Sequence, residues 1–237
     1  MSDPDVLPEV LVVQADSADS ALGWASLGER RWRCVVGAGG VREDKVEGDG
    51  ATPAGQYPLR HIYFRNDRLV LPRVGLPARP IAEHDGWCDD PRSPAYNRLV
   101  RIPNEWSQER MWREDGLYDL VVVVGYNDDP PEGEWGSAIF LHVARDDMAP
   151  TRGCVAFARD DLLELVTLIG PETRLNVHSL SADDAKPRAR DDLLELVTLI
   201  GPKTRINVLS LSAAEHKTAP EVDDDMKQFE DFDEQDW

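Results

Sequence analysis

Leu120-Val121-Val122-Val123-Val124 is the segment that most restricts how this 237-residue chain can fold. A run of β-branched residues without polar alternation predicts a strand buried on both faces, so layers must pack on either side of it. The turn signal Asp128-Asp129-Pro130-Pro131 follows, and then a second apolar run, Ala138 to Val143, ending His142-Val143. Read as a strand, that run sends Ile139, Leu141 and Val143 to one face and Phe140 and His142 to the other. Val10–Val13, Leu22–Ala25 and Trp32–Val36 are further short strands between polar turns. The expected fold class is therefore mainly β with α elements.

The α pattern comes late. Asp160-Asp161 precede Leu162, Leu163, Leu165, Val166, Leu168 and Ile169, with Glu164 three residues after Asp161, a capping-box-like helix start that Gly170-Pro171 ends. Thr173–Val177 then reads as a strand. Residues 158–181 recur at 189–212, differing only at Glu172/Lys203, Leu175/Ile206 and His178/Leu209. Two copies are too few for a solenoid. One copy is surplus: it either packs alongside or at a sheet edge, or it competes for one slot and is exchanged between protomers, leaving the oligomeric state open. Residues 213–237 carry ten acidic side chains against two lysines and read as a disordered acidic tail, with partner docking through Phe229, Phe232 and Trp237 as the rival reading. The predicted organisation is a domain over 8–181, the duplicated helix-strand unit over 182–212, and the tail.

Thr151-Arg152-Gly153-Cys154 carries the chemistry. A cysteine attacks as a thiolate and needs a base or cation beside it. Eleven residues separate His142 from Cys154, and Asp146, Asp147, Pro150 and Gly153 among them predict a loop returning the chain to the histidine strand. The amides around Gly153 and Cys154 are candidate oxyanion donors, Thr151 a brace for the turn, and Arg152 a source of positive potential. These parts suit acyl transfer. Against this stands the plain reading, in which a buried cysteine packs as a small hydrophobe and the histidine is structural.

Other segments bear on the choice. Together with Gly48-Asp49-Gly50-Ala51-Thr52-Pro53-Ala54-Gly55 and with Gly86-Trp87-Cys88-Asp89-Asp90-Pro91 leading to Tyr96-Asn97, the His142 and Thr151–Cys154 segments resemble the L,D-transpeptidase (YkuD-like) catalytic domain. That family's signature is an upstream His followed by Ser/Thr-His-Gly-Cys. The chain departs from it at Arg152, which stands where many members have a second histidine, and in its shorter His-to-Cys spacing. The resemblance implies a β-sandwich or mixed-sheet domain, a Cys154 nucleophile, a His142 base, and Tyr96, Asn97, Tyr126 and Asn127 near the substrate cleft. It implies peptidoglycan stem peptides as partner, acylation by carbapenems, and no metal or organic cofactor. Crosslinking by a thioester is the expected reaction. L,D-carboxypeptidase or endopeptidase hydrolysis by the same cysteine is the alternative, and a non-catalytic interaction protein is a third.

Composition narrows the partners. A net charge of −19 speaks against nucleic acid, and no stretch is apolar enough to span a bilayer. The acidic start Met1–Asp5 lacks the pattern of a secretory signal, which predicts the cytoplasm, whereas the family implies the periplasm or cell envelope. With Cys154 as nucleophile, only a Cys34–Cys88 bridge is conceivable, and free thiols are expected at both. His84 and Cys88 have a helical i, i+4 spacing, but Gly86-Trp87 between them argues against zinc. Residues 60–113 are rich in Arg and Pro and read as a long insertion, whose arginines either receive substrate carboxylates or pair with neighbouring acids.

Overall fold

Leu120–Val124 is a strand with every residue buried, and its two faces serve two different cores. In the computed structural model, which describes residues 10–179, Leu120, Val122 and Val124 join a large core while Val121 and Val123 join a second one. The chain divides into units Met1–Pro187 and Arg188–Trp237, and the described residues all belong to the first. The second repeat copy, its exchange between protomers and the acidic tail lie outside the described residues.

The first half of the chain supplies β1 (Val10–Ala15), β2 (Leu22–Leu27), β3 (Arg30–Val35), β4 (Val41–Arg42), β5 (Thr52–Pro53), β6 (Gly55–Phe64) and β7 (Ala78–Pro80). Then come β8 (Asp85–Cys88), β9 (Leu99–Arg101), β10 (Gln108–Arg110), β11 (Leu120–Val124), β12 (Phe140–Val143), β13 (Val155–Phe157), α1 (Arg159–Leu168) and β14 (Arg174–His178). The main sheet runs β11-β12-β13-β3-β2-β1-β14-β6-β7, and β6 also pairs with β11. It thus closes on itself, in place of a sandwich of two open sheets. Closure is possible because β6 is ten residues long: Gly55–Pro58 pair with β14 and Leu59–Phe64 with β11. The ring is mixed, with β1–β14 and β12–β13 parallel.

The large core unites the ring's apolar side chains with Leu162, Leu165, Val166 and Ile169 of α1 and its C-terminal flank. The helix does not begin as a capping box. Its N-cap is Ala158, without a side-chain cap, and Glu164 instead binds Arg30 and the Trp32 indole Nε1 (2.9 Å) on β3. A charge-assisted tie between elements outcompetes the local cap.

On the outer face of β6, β11 and β12 sits the second core: Tyr63, Trp87, Met111, Tyr118, Phe140 and Cys154 among its members. It is covered by a small antiparallel sheet, β10-β8-β9, built from the Arg- and Pro-rich insertion. Arg60, Arg68, Arg79, Arg92 and Arg113 of that segment pair with nearby acids as solvated or half-buried charges do, and the buried Arg65 pairs with Asp67. His84 and Cys88 flank and end a strand, so their spacing does not share a helical face.

Leu165 is fully buried between α1 and the ring. Leu165→Ala is expected to cost about 2–5 kcal/mol in urea unfolding, from lost transfer energy and the cavity left behind.

Candidate active site

His142 and Cys154 come from adjacent parallel strands. In the β12–β13 register Leu141 pairs with Val155 and His142 with Ala156, so Cys154 lies two residues before the partner of His142. Side chains two apart share a face, so the thiol and the imidazole both emerge on the face of Phe140. With about 3.3 Å rise per residue and about 4.8 Å between strands, their Cα atoms stand about 8 Å apart. Antiparallel strands joined by a tight turn would not give this offset. It requires the eleven-residue return loop between Val143 and Val155 that the sequence predicts.

Three loops converge to hold Cys154. Thr151 Oγ1 donates to Cys154 O (2.6 Å) and accepts Gly153 N–H (3.1 Å), while Thr52 Oγ1 also reaches Cys154 O (3.4 Å) and accepts Gly37 N–H (2.8 Å). Gly37 forms a parallel bridge with Thr151. The glycines are needed because backbones touch here: a Cβ on Gly37 would lie 2.2 Å from Gly50 O and 3.0 Å from Gly153 N and Cα. Gly153 has φ 129°, and its own Cβ would lie 2.8 Å from Ala51 O. What approaches Gly153 closely is the Gly-rich segment of 48–55, not open space. Its N–H is committed to Thr151.

Both side chains are buried, Cys154 8% and His142 7% exposed. Burial pushes the Cys154 thiol up to about 12, the charge of Glu109 acts in the same sense, and the Phe140 amide and Lys45 oppose it. Burial also lowers His142 to about 4, which its contact with the Val143 carbonyl partly offsets. At neutral pH both groups are uncharged. His142 Nδ1 lies 2.8 Å from Val143 O, and because a carbonyl only accepts, Nδ1 carries the proton and Nε2 is the basic atom. The Tyr118 ring packs edge-on against His142 (5.5 Å) and Phe140 (5.9 Å), fixing the imidazole plane. The Cys154 thiol donates to Ala138 O at 3.2 Å.

The four expected cleft residues are adjacent to this centre, and their polar atoms are used within the chain. Tyr96 Oη and Ser137 Oγ both donate to Glu47 Oε2, at 2.5 and 3.0 Å. Tyr126 Oη donates to Trp135 O (2.5 Å), and Asn127 Nδ2 to Gly136 O (2.8 Å) and Glu132 O (2.8 Å). Asn97 bonds Ala138 N–H, the Trp87 indole and the carbonyls of Tyr126 and Asn127. Together they grip residues 135–138, the strap that presents Ala138 O to Cys154.

Arg152 is exposed, and its charge is felt at Glu109, whose carboxyl burial raises. The cation that acts on Cys154 is Lys45, a buried ammonium bonded to Asp49 (2.9 Å) and Val46 O (3.1 Å). Sequence patterns alone do not single out Lys45, Glu109 or Tyr118. Lys45 stands three residues before the Gly-rich segment, and Tyr118 two residues before the buried strand, so proximity to those motifs is the signal each carries. Among the described residues no set of three His, Cys, Asp or Glu gathers to ligate a metal.

Gly37→Ala is expected to lower stability by about 1–3 kcal/mol in thermal unfolding, because backbone atoms rather than a pliant side chain oppose the added methyl.

The family model for the L,D-transpeptidase catalytic domain, YkuD, matches residues 12–177. No curated protein matches the chain. A solved structure of Bdellovibrio bacteriovorus Bd1075 is similar at 17% identity and a TM-score of 0.36, covering 84% of this chain. The chain spans 59% of that structure's length. Members of the matched family are typically cysteine-dependent peptidoglycan L,D-transpeptidases of the cell envelope. With its match extending over most of the chain, the protein belongs to the YkuD family of L,D-transpeptidase catalytic domains.

Proposed function

We propose that the protein is a cysteine acyltransferase acting on peptidoglycan stem peptides, with Cys154 as nucleophile and His142 as base. The observation that carries this reading is the placement of both side chains on one buried sheet face, with Nδ1 of the imidazole pinned to Val143 O and Nε2 left as the proton acceptor. Two neutral groups at rest suit a mechanism in which the proton moves only as the bond forms.

In this reading Cys154 Sγ attacks the carbonyl that follows the third residue of a stem tetrapeptide, and its proton passes to His142 Nε2. The Sγ–C bond forms, the carbonyl oxygen takes the negative charge, and the Cys154 amide is the oxyanion donor, since Gly153 N–H is bonded to Thr151. Collapse breaks the C–N bond to the terminal D-Ala, whose nitrogen receives the proton from His142. An acceptor amine then attacks the thioester, returns a proton through His142 and releases the Cys154 thiol. Water in place of the amine gives hydrolysis. Thr151 and Thr52 hold the nucleophile's backbone through its carbonyl, and Arg152 modulates Glu109 at the rim. Among the described residues no helix is long and apolar enough to cross a membrane.

Incubation with purified muropeptides, read by mass spectrometry, tests the reading. Wild type is expected to yield crosslinked products, and Cys154→Ala none; trimmed peptides alone would assign hydrolysis, and full activity in Cys154→Ala would refute the nucleophile. His142→Gln is expected to lower kcat by about 10²–10⁴.

The pH profile is a separate check. A His142 value lowered to about 4 keeps the imidazole neutral throughout the mildly acidic range, so the acid limb of kcat/KM should lie near 4 rather than near 6.5. The same shift has a stability consequence with a definite sign. Between those values the unfolded chain binds a proton that the folded chain refuses, so this contribution is complete above about 6.5 and is lost as pH falls toward 4. An acid limb at the ordinary imidazole value would contradict the buried, neutral base.

A further inference from the structure

Ala138 is an anomaly with a use. It is a non-glycine residue with φ 54°, a left-handed conformation that ordinary side chains seldom adopt, and its carbonyl is the acceptor of the Cys154 thiol. Something must hold that peptide in place. Its N–H goes to Asn97 Oδ1 at 3.1 Å.

Asn97 is 5% exposed and uses every hydrogen-bonding position of its amide. Oδ1 accepts the Trp87 Nε1–H (2.9 Å) as well as Ala138 N–H. Nδ2 donates to Tyr126 O (3.0 Å) and Asn127 O (2.7 Å). Asn97 is itself left-handed, φ 54°, a state that asparagine tolerates better than most residues, and its N–H is tied to Cys88 O at 2.9 Å. One amide therefore joins the end of β8, the turn after β11 and the residue two positions before the start of the His142 strand. Aspartate would offer acceptors where two carbonyls need donors, and an aliphatic side chain would leave the indole, two carbonyls and an amide without partners.

We propose that Asn97 is a positioning residue for the nucleophile, acting through the Ala138 peptide: it fixes the carbonyl that aims Cys154 Sγ along the face shared with His142. The role assigned to it is distinct from direct contact with substrate. The proposal rests on the reading of Cys154 as nucleophile, but not on peptidoglycan being the substrate.

Two variants and two readouts test it. Asn97→Ala removes the clamp. Ala138→Gly keeps both peptide groups and relieves the left-handed conformation, so it folds while freeing the carbonyl to wander. An S–H···O=C bond holds the protonated thiol, so a loosened carbonyl should let iodoacetamide alkylate Cys154 about three- to tenfold faster at pH 8, with Cys34→Ala and Cys88→Ala in the background to isolate the signal. Turnover of muropeptides should move oppositely, kcat falling about tenfold with KM within about twofold, because the sulfur is no longer aimed. Opposed shifts in Ala138→Gly, and in Asn97→Ala where it folds, support the proposal. Unchanged alkylation in a folded Ala138→Gly, or alkylation and turnover falling together with the melting temperature, would overturn it. If wild type turns over no muropeptide, the functional reading fails while the alkylation arm still decides the positioning role.

Discussion

The parallel pairing of β12 with β13 is the constraint on which the rest of the site depends. Because the two strands run the same way, the chain must leave the end of β12 and return to the start of its neighbour, and that return delivers Thr151–Cys154 to the strand's beginning. A one-residue slip would turn Cys154 into the large core and leave His142 facing the second core without its partner. The register is set against this by Leu141, Val143, Val155 and Phe157, all committed to the interior of the ring. Packing on one face thus fixes which side chains meet on the other.

Electrostatics at the site follow from this burial. The environment opposes charge on the thiol and on the imidazole alike, so the pair rests neutral. The thiol is thereby held protonated, and the imidazole beside it keeps one tautomer through its bond to Val143 O. The positive influence on the sulfur comes from Lys45, which is itself neutralised nearby by Asp49. Its effect is a bias in the local potential rather than a salt bridge with Cys154.

Much of this is legible in the residues. The unbroken run Leu120–Val124, short and β-branched, points to a strand covered on both sides, and the two-residue period of Ile139–Val143 separates Phe140 and His142 from the face of the large core. The small sheet β10-β8-β9 is not legible, because strands of three or four residues rich in Arg, Gln and Gly carry too few alternations to be seen. Nor is the strap. Asn97 is marked by its neighbourhood, yet its partners lie 10 to 41 residues away, and side-chain hydrogen bonds at such separations leave no periodic trace. The helix start misleads for a related reason: Glu164 has a local use open to it and a better one on β3, 132 residues away, in the Trp32 indole. Arg152 shows the same limit, since adjacency in sequence to Cys154 does not bring its charge to bear on the sulfur as Lys45's does.

The closed ring has a bearing on the duplicated segment. β14, the strand of the first copy, is paired along both edges, in parallel with β1 and antiparallel with β6. A strand so placed has no hydrogen-bonding edge left to offer, and a ring has no vacancy for an extra stave. The strand of the first copy is thus held on both sides, and its pairing is complete within the described residues.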